Sequence, residues 1–302
     1  MEEGLRFAAI DIGSNAMRLL FTRVIINSNP IFIKESLIRM PLRLGHDAFI
    51  HGKISDKTAI KFINTIMGFN NLIKAYNPIC TRACATSAMR SSSNGSDLVK
   101  KIRNETGIEI EIISGKDEAK LIIANHIERT LKFGFYYIHV DVGGGSTEIS
   151  IIYNKNVISA KSFPIGSVRL LEKRVRKNDW QKMKKWIINN TSNLSPLRIM
   201  GSGGNINKIA SILGIGKGGK IKIDDMIYIL DEIKPLNYHD RIVQLGMRPD
   251  RADVITYAGT IYLNCLKWSR TKNIIVPQVG LPDGIITKLF LDHRKNELGI
   301  EY

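Results

Sequence analysis

Residues 137–153, YIHVDVGGGSTEISIIY, are the stretch of sequence that decides the fold. They predict an apolar strand that ends at Asp141, a glycine turn, and a second apolar strand that leaves in the opposite direction. Consecutive glycines permit positive φ and carry no Cβ, so their backbone N–H groups can close around a phosphate oxygen. The alternative interpretation is a plain glycine-rich hairpin. The residues of this candidate cradle are Gly143, Gly144, Gly145, Ser146 and Thr147.

Two carboxylates flank the turn, since Asp141 enters it and Glu148 leaves it. Mg²⁺ in proteins is usually held by one or two carboxylates together with phosphate oxygens and water. The sequence therefore predicts a site for Mg²⁺, or another divalent cation, beside the glycine turn.

The same pattern occurs near the start of the chain, in FAAIDIGSNAMRLLFTRV at residues 7–24. Aligning the two stretches places Asp11 on Asp141 and Gly13 on Gly143, an offset of 130 residues. A repeat of this size predicts two similar halves whose hairpins face each other across a cleft. A ligand is then expected between the two domains.

Composition indicates a basic globular protein and does not identify its activity. The 302 residues suffice for two domains, and 44% of them are apolar, as in ordinary globular proteins. The net charge of +16 and the pI near 9.7 predict attraction to polyanions, whether nucleic acid, polyphosphate, phosphorylated nucleotides or anionic membrane. The three cysteines have no paired spacing, the start is acidic, and no apolar run approaches about 18 residues. A soluble cytoplasmic protein is therefore expected.

Each half of the chain predicts the order β-β-β-α-β-α-β-α, which indicates a duplicated α/β fold with mixed sheets. Domain 1 is expected at residues 1–125 and domain 2 at residues 126–302. A closing helix at about residues 283–295 is expected to pack back on domain 1. A long helix is predicted from Ser167 to Asn189, with a run of lysine and arginine between Lys173 and Lys185. Such a run is usually a solvated face, and the alternative is a surface that guides a polyanion.

Short motifs occur in order over nearly the whole chain. They are DIGSN at residues 11–15, ATSAMR at 85–90, SGKDEAKL at 114–121, DVGGGSTE at 141–148, GSGG at 201–204 and RADVI at 251–255. Together they resemble the exopolyphosphatase and guanosine pentaphosphate phosphohydrolase family, in its short two-domain form. Asn205 departs from the threonine usual in that family, and Pro282-Asp283 departs from its frequent Arg-Glu. The resemblance implies two ribonuclease-H-like domains of the actin-like ATPase superfamily around a central cleft.

The resemblance also implies roles for individual residues. The family's catalytic glutamate precedes an alanine, so Glu118 is the expected general base, with Asp117 as the other possible assignment. Arg90 is expected to bind phosphate oxygens. Asp141 and Glu148, with Asp11 through water, are expected to hold the divalent cation. The other residues expected to bind phosphate are Gly13, Ser14, Asn15, Gly201, Ser202, Gly203 and Gly204.

The expected activity is hydrolysis of the terminal phosphate of inorganic polyphosphate, of guanosine pentaphosphate, or of both. Two alternatives stay open: an actin-fold kinase, and a regulator that binds polyphosphate or guanosine penta- or tetraphosphate without hydrolysing it. Neither a membrane nor nucleic acid is expected as a partner. The family resemblance suggests a homodimer.

Overall fold

The structure is a computed structural model that describes residues 4–124 and 131–298. These residues form two compact units. Unit 1 contains residues 4–124 and 281–298, and unit 2 contains residues 131–280. The predicted domain boundary after residue 125 lies outside the described residues.

Unit 1 combines a sheet with helices from both ends of the chain. Its elements are β1 (Leu5–Ile12), β2 (Met17–Ile25), β3 (Ile31–Met40), α1 (Leu44–His51), α2 (Asp56–Tyr76), β4 (Cys80–Ala85), α3 (Ser87–Ser91), α4 (Gly95–Thr106), β5 (Ile110–Ile112), α5 (Gly115–Ala124) and α13 (Leu281–Leu298).

Unit 2 is continuous in sequence. Its elements are β6 (Tyr136–Val142), β7 (Thr147–Tyr153), β8 (Asn156–Phe163), α6 (Ser167–Leu171), α7 (Lys177–Thr191), β9 (Leu197–Ser202), α8 (Gly204–Ile212), β10 (Lys220–Lys222), α9 (Ile223–Ile233), α10 (Tyr238–Val243), α11 (Pro249–Ala252), α12 (Ile255–Ser269) and β11 (Asn273–Ile275).

The two sheets share a five-strand arrangement, to which unit 2 adds β10 at one edge. In unit 1 the strands lie in the order β3-β2-β1-β4-β5, and β1 is antiparallel to β2 and parallel to β4. In unit 2 the order is β10-β11-β9-β6-β7-β8, and β6 is antiparallel to β7 and parallel to β9. The β1 and β6 strands therefore hold equivalent positions. This order is that of the ribonuclease-H-like fold, so the predicted duplicated α/β class is confirmed.

Alternation along β6 separates the core of unit 2 from its polar groups. Ile138, Val140 and Val142 belong to the apolar core that the helices of unit 2 cover. Because successive side chains of a strand point to opposite faces, His139 and Asp141 lie on the other face of the sheet. The strand thus carries Asp141 to its carboxyl end beside the glycine turn.

Helix α13 completes the core of unit 1. The Phe290 ring lies edge-on to Phe7 and Phe32, with centroid distances of 6.1 and 5.4 Å. The helix also approaches α5 closely, because a Cβ on Gly284 would lie 1.9 Å from the Leu121 carbonyl oxygen. The last described helix is therefore part of the same core as the first strand.

The predicted long helix from Ser167 to Asn189 is wrong, since α6 and α7 are separate helices. The chain turns at Lys173, whose φ is 54°. Asp179 accepts from the Arg176 N–H at 3.1 Å, in a capping box that starts α7. Lysine and arginine have high helix propensity, so the sequence pattern hides this interruption.

The sequence also did not predict α1, α3 or β10, which are short. Helix α1 has Arg43 at its N-cap in the left-handed region and contains Gly45, so propensity gives it little support. None of the described helices is long and apolar enough to cross a bilayer.

Candidate active site

Three carbonyl oxygens of the glycine turn between β6 and β7 face α6. The Gly143 oxygen accepts from the Ser167 N–H at 3.0 Å, the Gly144 oxygen from the Val168 N–H at 2.8 Å, and the Gly145 oxygen from the Arg169 guanidinium at 2.9 Å. Gly166 makes this contact possible, because a Cβ there would lie 2.4 Å from the Gly144 oxygen. The turn is thus held from one side by its carbonyl groups.

The N–H groups of the same peptides point the other way. A trans peptide directs its N–H opposite to its C=O, so the N–H groups of Gly144, Gly145 and Ser146 point away from α6. Within the described part of the chain these three N–H groups have no hydrogen-bond partner. Successive N–H groups of this kind form an anion-binding concavity.

The predicted reason for the three glycines is wrong in one respect. None of Gly143, Gly144 and Gly145 is among the described glycines with positive φ. At Gly143 the constraint is close packing, since a Cβ there would lie 3.2 Å from the Ser146 oxygen. The Gly143 N–H donates to that same oxygen at 2.9 Å and closes the turn.

Asp141 and Glu148 are direct partners in the register of β6 and β7. One carboxylate oxygen of each lies within 4.8 Å of the other, and the two side chains are 8% and 1% exposed. Ser162 donates its hydroxyl to Glu148 at 2.8 Å. Two buried like charges repel each other, and a hard cation or a proton relieves that repulsion. The donor set of two carboxylates fits Mg²⁺.

The loop after β9 offers further backbone donors. Gly203 has φ 111° and precedes α8, whose N-cap provides no side-chain hydrogen bond. A Cβ on Gly203 would lie 3.2 Å from an Asp141 carboxylate oxygen. This start of α8 is therefore close to the carboxylate pair, and a helix N-terminus favours anions.

Two hydroxyl groups that were predicted to bind phosphate form hydrogen bonds within unit 2 instead. The Thr147 hydroxyl is fully buried and donates to the Ile165 carbonyl at 2.6 Å, which ties β7 to the segment before α6. The Ser202 hydroxyl is fully buried and lies 2.7 Å from Nε2 of His139. Burial lowers the pKa of His139 to about 4, so this imidazole is neutral near pH 7.

Tyr262 of α12 is a residue that sequence reasoning missed. Its hydroxyl donates to the Ser202 carbonyl and accepts from the Val142 N–H at 3.3 Å. It therefore joins the carboxyl ends of β6 and β9, from which the glycine turn and the Gly203 loop begin. Its only sequence signal is a polar atom on an apolar helix face.

The hairpin of unit 1 has the same construction. Gly13 donates its N–H to the Ala16 oxygen at 3.2 Å, as Gly143 does to Ser146. The N–H of Gly45, at the start of α1, donates to the Ser14 oxygen at 2.7 Å. The N–H of Arg43 donates to the Asn15 oxygen at 3.0 Å. The start of α1 thus binds the carbonyl oxygens of the hairpin in unit 1, as α6 binds those of the glycine turn in unit 2.

The carboxylate of this first hairpin differs from its counterpart. Asp11 pairs in register with Arg18 and forms a 2.5 Å ion pair with it, whereas Asp141 pairs with Glu148. Burial nevertheless raises the pKa of Asp11 above its usual value, against the lowering effect of Arg18. The cation-binding role of Asp11 stays a prediction.

Helix α5 separates the two candidates for the general base. Asp117 is exposed, accepts from the Ser114 hydroxyl at 2.6 Å and contacts Lys120 at 3.4 Å, and the Ser114 hydrogen bond holds its pKa below the usual range. Glu118 is 7% exposed and lies 3.9 Å from the Arg90 guanidinium. Arg90 itself donates to the Ile113 carbonyl at 2.6 Å. Asp117 therefore stabilises the start of α5 through Ser114, and Glu118 is the carboxylate beside Arg90.

Relatives with known names match part of the chain. Exopolyphosphatase 1 of Mycobacterium tuberculosis is 31% identical over 167 residues, which cover 55% of this chain and 48% of that protein. A bifunctional 3-dehydroquinate synthase/phosphatase of Fusobacterium nucleatum is 30% identical over 199 residues, covering 58% of this chain and 29% of that protein. The chain thus spans about half the length, or less, of the curated relatives that it matches.

Solved structures match the fold over nearly the whole chain. The Aquifex aeolicus member of the Ppx/GppA family superposes with a TM-score of 0.76 at 22% identity, covering 96% of this chain and 98% of that one. An exopolyphosphatase from Cytophaga hutchinsonii gives a TM-score of 0.81 at 23% identity, with coverage of 94% and 97%. A sequence model of the Ppx/GppA phosphatase family matches residues 36–293. The chain belongs to the Ppx/GppA phosphatase family.

Proposed function

We propose that this protein hydrolyses the terminal phosphoanhydride bond of inorganic polyphosphate. One observation carries the proposal: three backbone N–H groups, of Gly144, Gly145 and Ser146, point away from α6 beside the carboxylate pair of Asp141 and Glu148. Phosphoryl transfer requires mainly positioning and charge stabilisation, which backbone donors and a cation supply. The named relatives support polyphosphate as the substrate class, and guanosine pentaphosphate is a second candidate because it ends in the same bond.

Asp141 and Glu148 are the residues that would hold Mg²⁺. When bound, Mg²⁺ would offset the negative charge of the phosphate oxygens. Ser162 fixes the Glu148 carboxylate through a 2.8 Å hydrogen bond, and Gly203 leaves room beside Asp141. Both carboxylates sit on strands, so their orientation is set by the sheet.

Glu118 is the proposed general base. Its carboxylate takes a proton from the attacking water while the new P–O bond forms and the bridging P–O bond breaks. The proton resides on Glu118, and the electron pair of the broken bond leaves with the shortened chain. Arg90 orients Glu118 at 3.9 Å and keeps further guanidinium donors for phosphate oxygens.

The test is phosphate release by the purified protein from inorganic polyphosphate, guanosine pentaphosphate and ATP, with Mg²⁺ and with excess EDTA. We expect Mg²⁺-dependent release from polyphosphate, with or without release from the pentaphosphate. Turnover of ATP only when an acceptor is added would instead favour a kinase. Binding of polyphosphate without any phosphate release would favour a non-hydrolytic regulator.

A further inference from the structure

A groove of about 770 Å³ lies in unit 2, at the end of the sheet where strands β9 and β11 begin. Its lining comes from the second half of α7 and the residues after it, from the end of α12, from β10 and from the starts of β9 and β11. Among the described residues, no aspartate or glutamate lines it. Its cationic side chains are Lys184, Arg198, Lys220, Lys267, Arg270 and Lys272.

No ion pair neutralises these cations within the described part of the chain. None of the six forms an ion pair with any residue in the described ranges. Lys267 and Arg270 stand at the carboxyl end of α12, where the helix dipole stabilises positive charge. The helix dipole does not explain two of the other lysines, because Lys220 lies in β10 and Lys272 follows the end of α12. Like charges within a Debye length of about 8 Å repel each other, so a bound polyanion would relieve the repulsion.

One of the cations is held in place. The Arg198 guanidinium lies 3.6 Å from the centroid of the Phe135 ring and donates to the Tyr137 hydroxyl at 3.4 Å. A guanidinium fixed in this way keeps further N–H groups for an anion and loses little side-chain entropy on binding. Ser192 and Ser195 add neutral hydroxyl donors to the lining. The groove therefore combines a fixed guanidinium, exposed lysine side chains and hydroxyl groups.

The groove is separate from the glycine turn. Strand β9 begins at Leu197 and Arg198 in the groove and leads to Gly203 beside Asp141. At about 3.3 Å per residue, this strand places the two sites roughly 20 Å apart. The six cations are thus too distant to hold a terminal phosphate in the turn.

We propose that this groove is a second, non-catalytic binding site for a linear oligophosphate chain. The identity of that chain as inorganic polyphosphate rests on the proposed function, whereas the tail of a phosphorylated nucleotide offers the same chemistry. Single-stranded nucleic acid is the less suitable occupant, because such sites present aromatic platforms to successive bases. Here Trp268 is the one aromatic residue among the described lining residues, and its ring packs edge-on against Trp180 at 6.0 Å.

Two variants of equal charge test the site. The groove variant is Lys220→Gln/Lys267→Gln/Lys272→Gln, and the control is Lys177→Gln/Lys182→Gln/Lys185→Gln on α7, outside the groove lining. All six lysines are exposed, so both variants are expected to fold. Binding of medium-length inorganic polyphosphate is measured by calorimetry in EDTA, at several salt concentrations.

We expect the groove variant to raise Kd at least about tenfold and the control to change it less than about twofold. The slope of log K against log salt should fall by about 2 in the groove variant, by analogy with the 0.7–0.9 per phosphate contact seen in nucleic acids. Equal effects in the two variants would mean that net charge alone attracts the chain, and would overturn the proposal.

Parallel titrations with tripolyphosphate, guanosine pentaphosphate and an oligodeoxynucleotide identify the source of the chain. Tighter groove-dependent binding of the nucleotide than of tripolyphosphate assigns the site to a nucleotide tail. Tighter groove-dependent binding of the oligodeoxynucleotide than of polyphosphate contradicts the oligophosphate assignment. Phosphate release from the same medium-length polyphosphate with Mg²⁺ is measured on the same samples. Its absence in the parent rejects the proposed hydrolysis alone, whereas unchanged polyphosphate binding by the groove variant rejects the groove alone.

Discussion

Glu118 and Asp117 are neighbours in α5 whose side chains have different surroundings. Asp117 is exposed and caps the helix through Ser114, while Glu118 is buried beside Arg90. If Glu118 takes the proton from water, Glu118→Gln should lower kcat by roughly 10²–10⁴-fold with little change in KM. The matched variant Asp117→Asn should lose some helix capping and keep most of kcat. Initial rates of phosphate release decide between them, and equal losses in the two variants would contradict the assignment.

Asp141 allows a second test at the scale of single residues. Removing its charge with Asp141→Asn should raise the Mg²⁺ concentration needed for half-maximal rate, because one anionic ligand of the pair is lost. The increase in melting temperature on adding Mg²⁺ should shrink in the same variant, since a ligand that binds only the folded state stabilises it. Asp231→Asn, which removes an exposed carboxylate of α9, is the control. Identical Mg²⁺ titrations for parent and Asp141→Asn would exclude Asp141 from the cation site.

Residue-level prediction from sequence succeeded where contacts are local. The hairpin sequence placed Asp141 and Glu148 on either side of one short turn, and such a turn fixes the register that makes them partners in the structure. The hydrogen bond from the Val142 N–H to the Tyr262 hydroxyl joins residues 120 positions apart, and no local sequence pattern predicts it. The ion pair of Asp11 with Arg18 could have been predicted from the sequence, since the aligned repeat puts Arg18 where the second hairpin has Glu148.

At the scale of elements, the short helices α1 and α6 determine how the two turns present their N–H groups. Gly166→Ala should disturb this contact, because the new Cβ would lie 2.4–2.5 Å from backbone atoms of Gly144 and Gly145. We expect a loss of about 1–3 kcal/mol in the free energy of unfolding and a higher KM. Gly68→Ala is the matched control: no atom lies within 4 Å of the added Cβ, and stability should rise by about 0.5–1 kcal/mol.

Urea denaturation and steady-state kinetics measure the two effects. A Gly166→Ala variant with the stability and KM of the parent would show that the turn does not depend on α6. Sequence reasoning predicted the strands of both hairpins but missed α1 and extended α6 into α7. Helices of five to eight residues carry too few apolar positions to show a period, and tertiary contacts decide where they end.

At the scale of the whole molecule, unit 1 depends on a helix from the far end of the chain. Phe290 is 2% exposed and contacts Phe7 and Phe32. Phe290→Ala should therefore lower the free energy of unfolding by about 3–5 kcal/mol through lost burial and a cavity. Leu291→Ala, one position further and 37% exposed, should cost under about 1 kcal/mol. Chemical denaturation compares the two, and equal losses would mean that α13 does not contribute its buried face to this core.

The internal repeat made the architecture of both sheets predictable, because each copy specifies three antiparallel strands followed by a parallel one. The sequence could not reveal the cationic groove, since its lysines and arginines come from four separate segments of unit 2. The charge run from Lys173 to Lys185 was interpreted as a solvated face, with a guiding surface as the alternative, and Lys184 is the one residue of that run that lines the groove.

The position of α13 has a consequence for protein synthesis. A ribosome makes the chain from its amino end, so β1 to α5 emerge well before Phe290 can cover Phe7 and Phe32. Unit 2 needs only residues 131–280 and can therefore finish folding while unit 1 is still incomplete. Nascent chains stalled before residue 281 should bind chaperones through these two phenylalanines, and release should follow once α13 has left the exit tunnel.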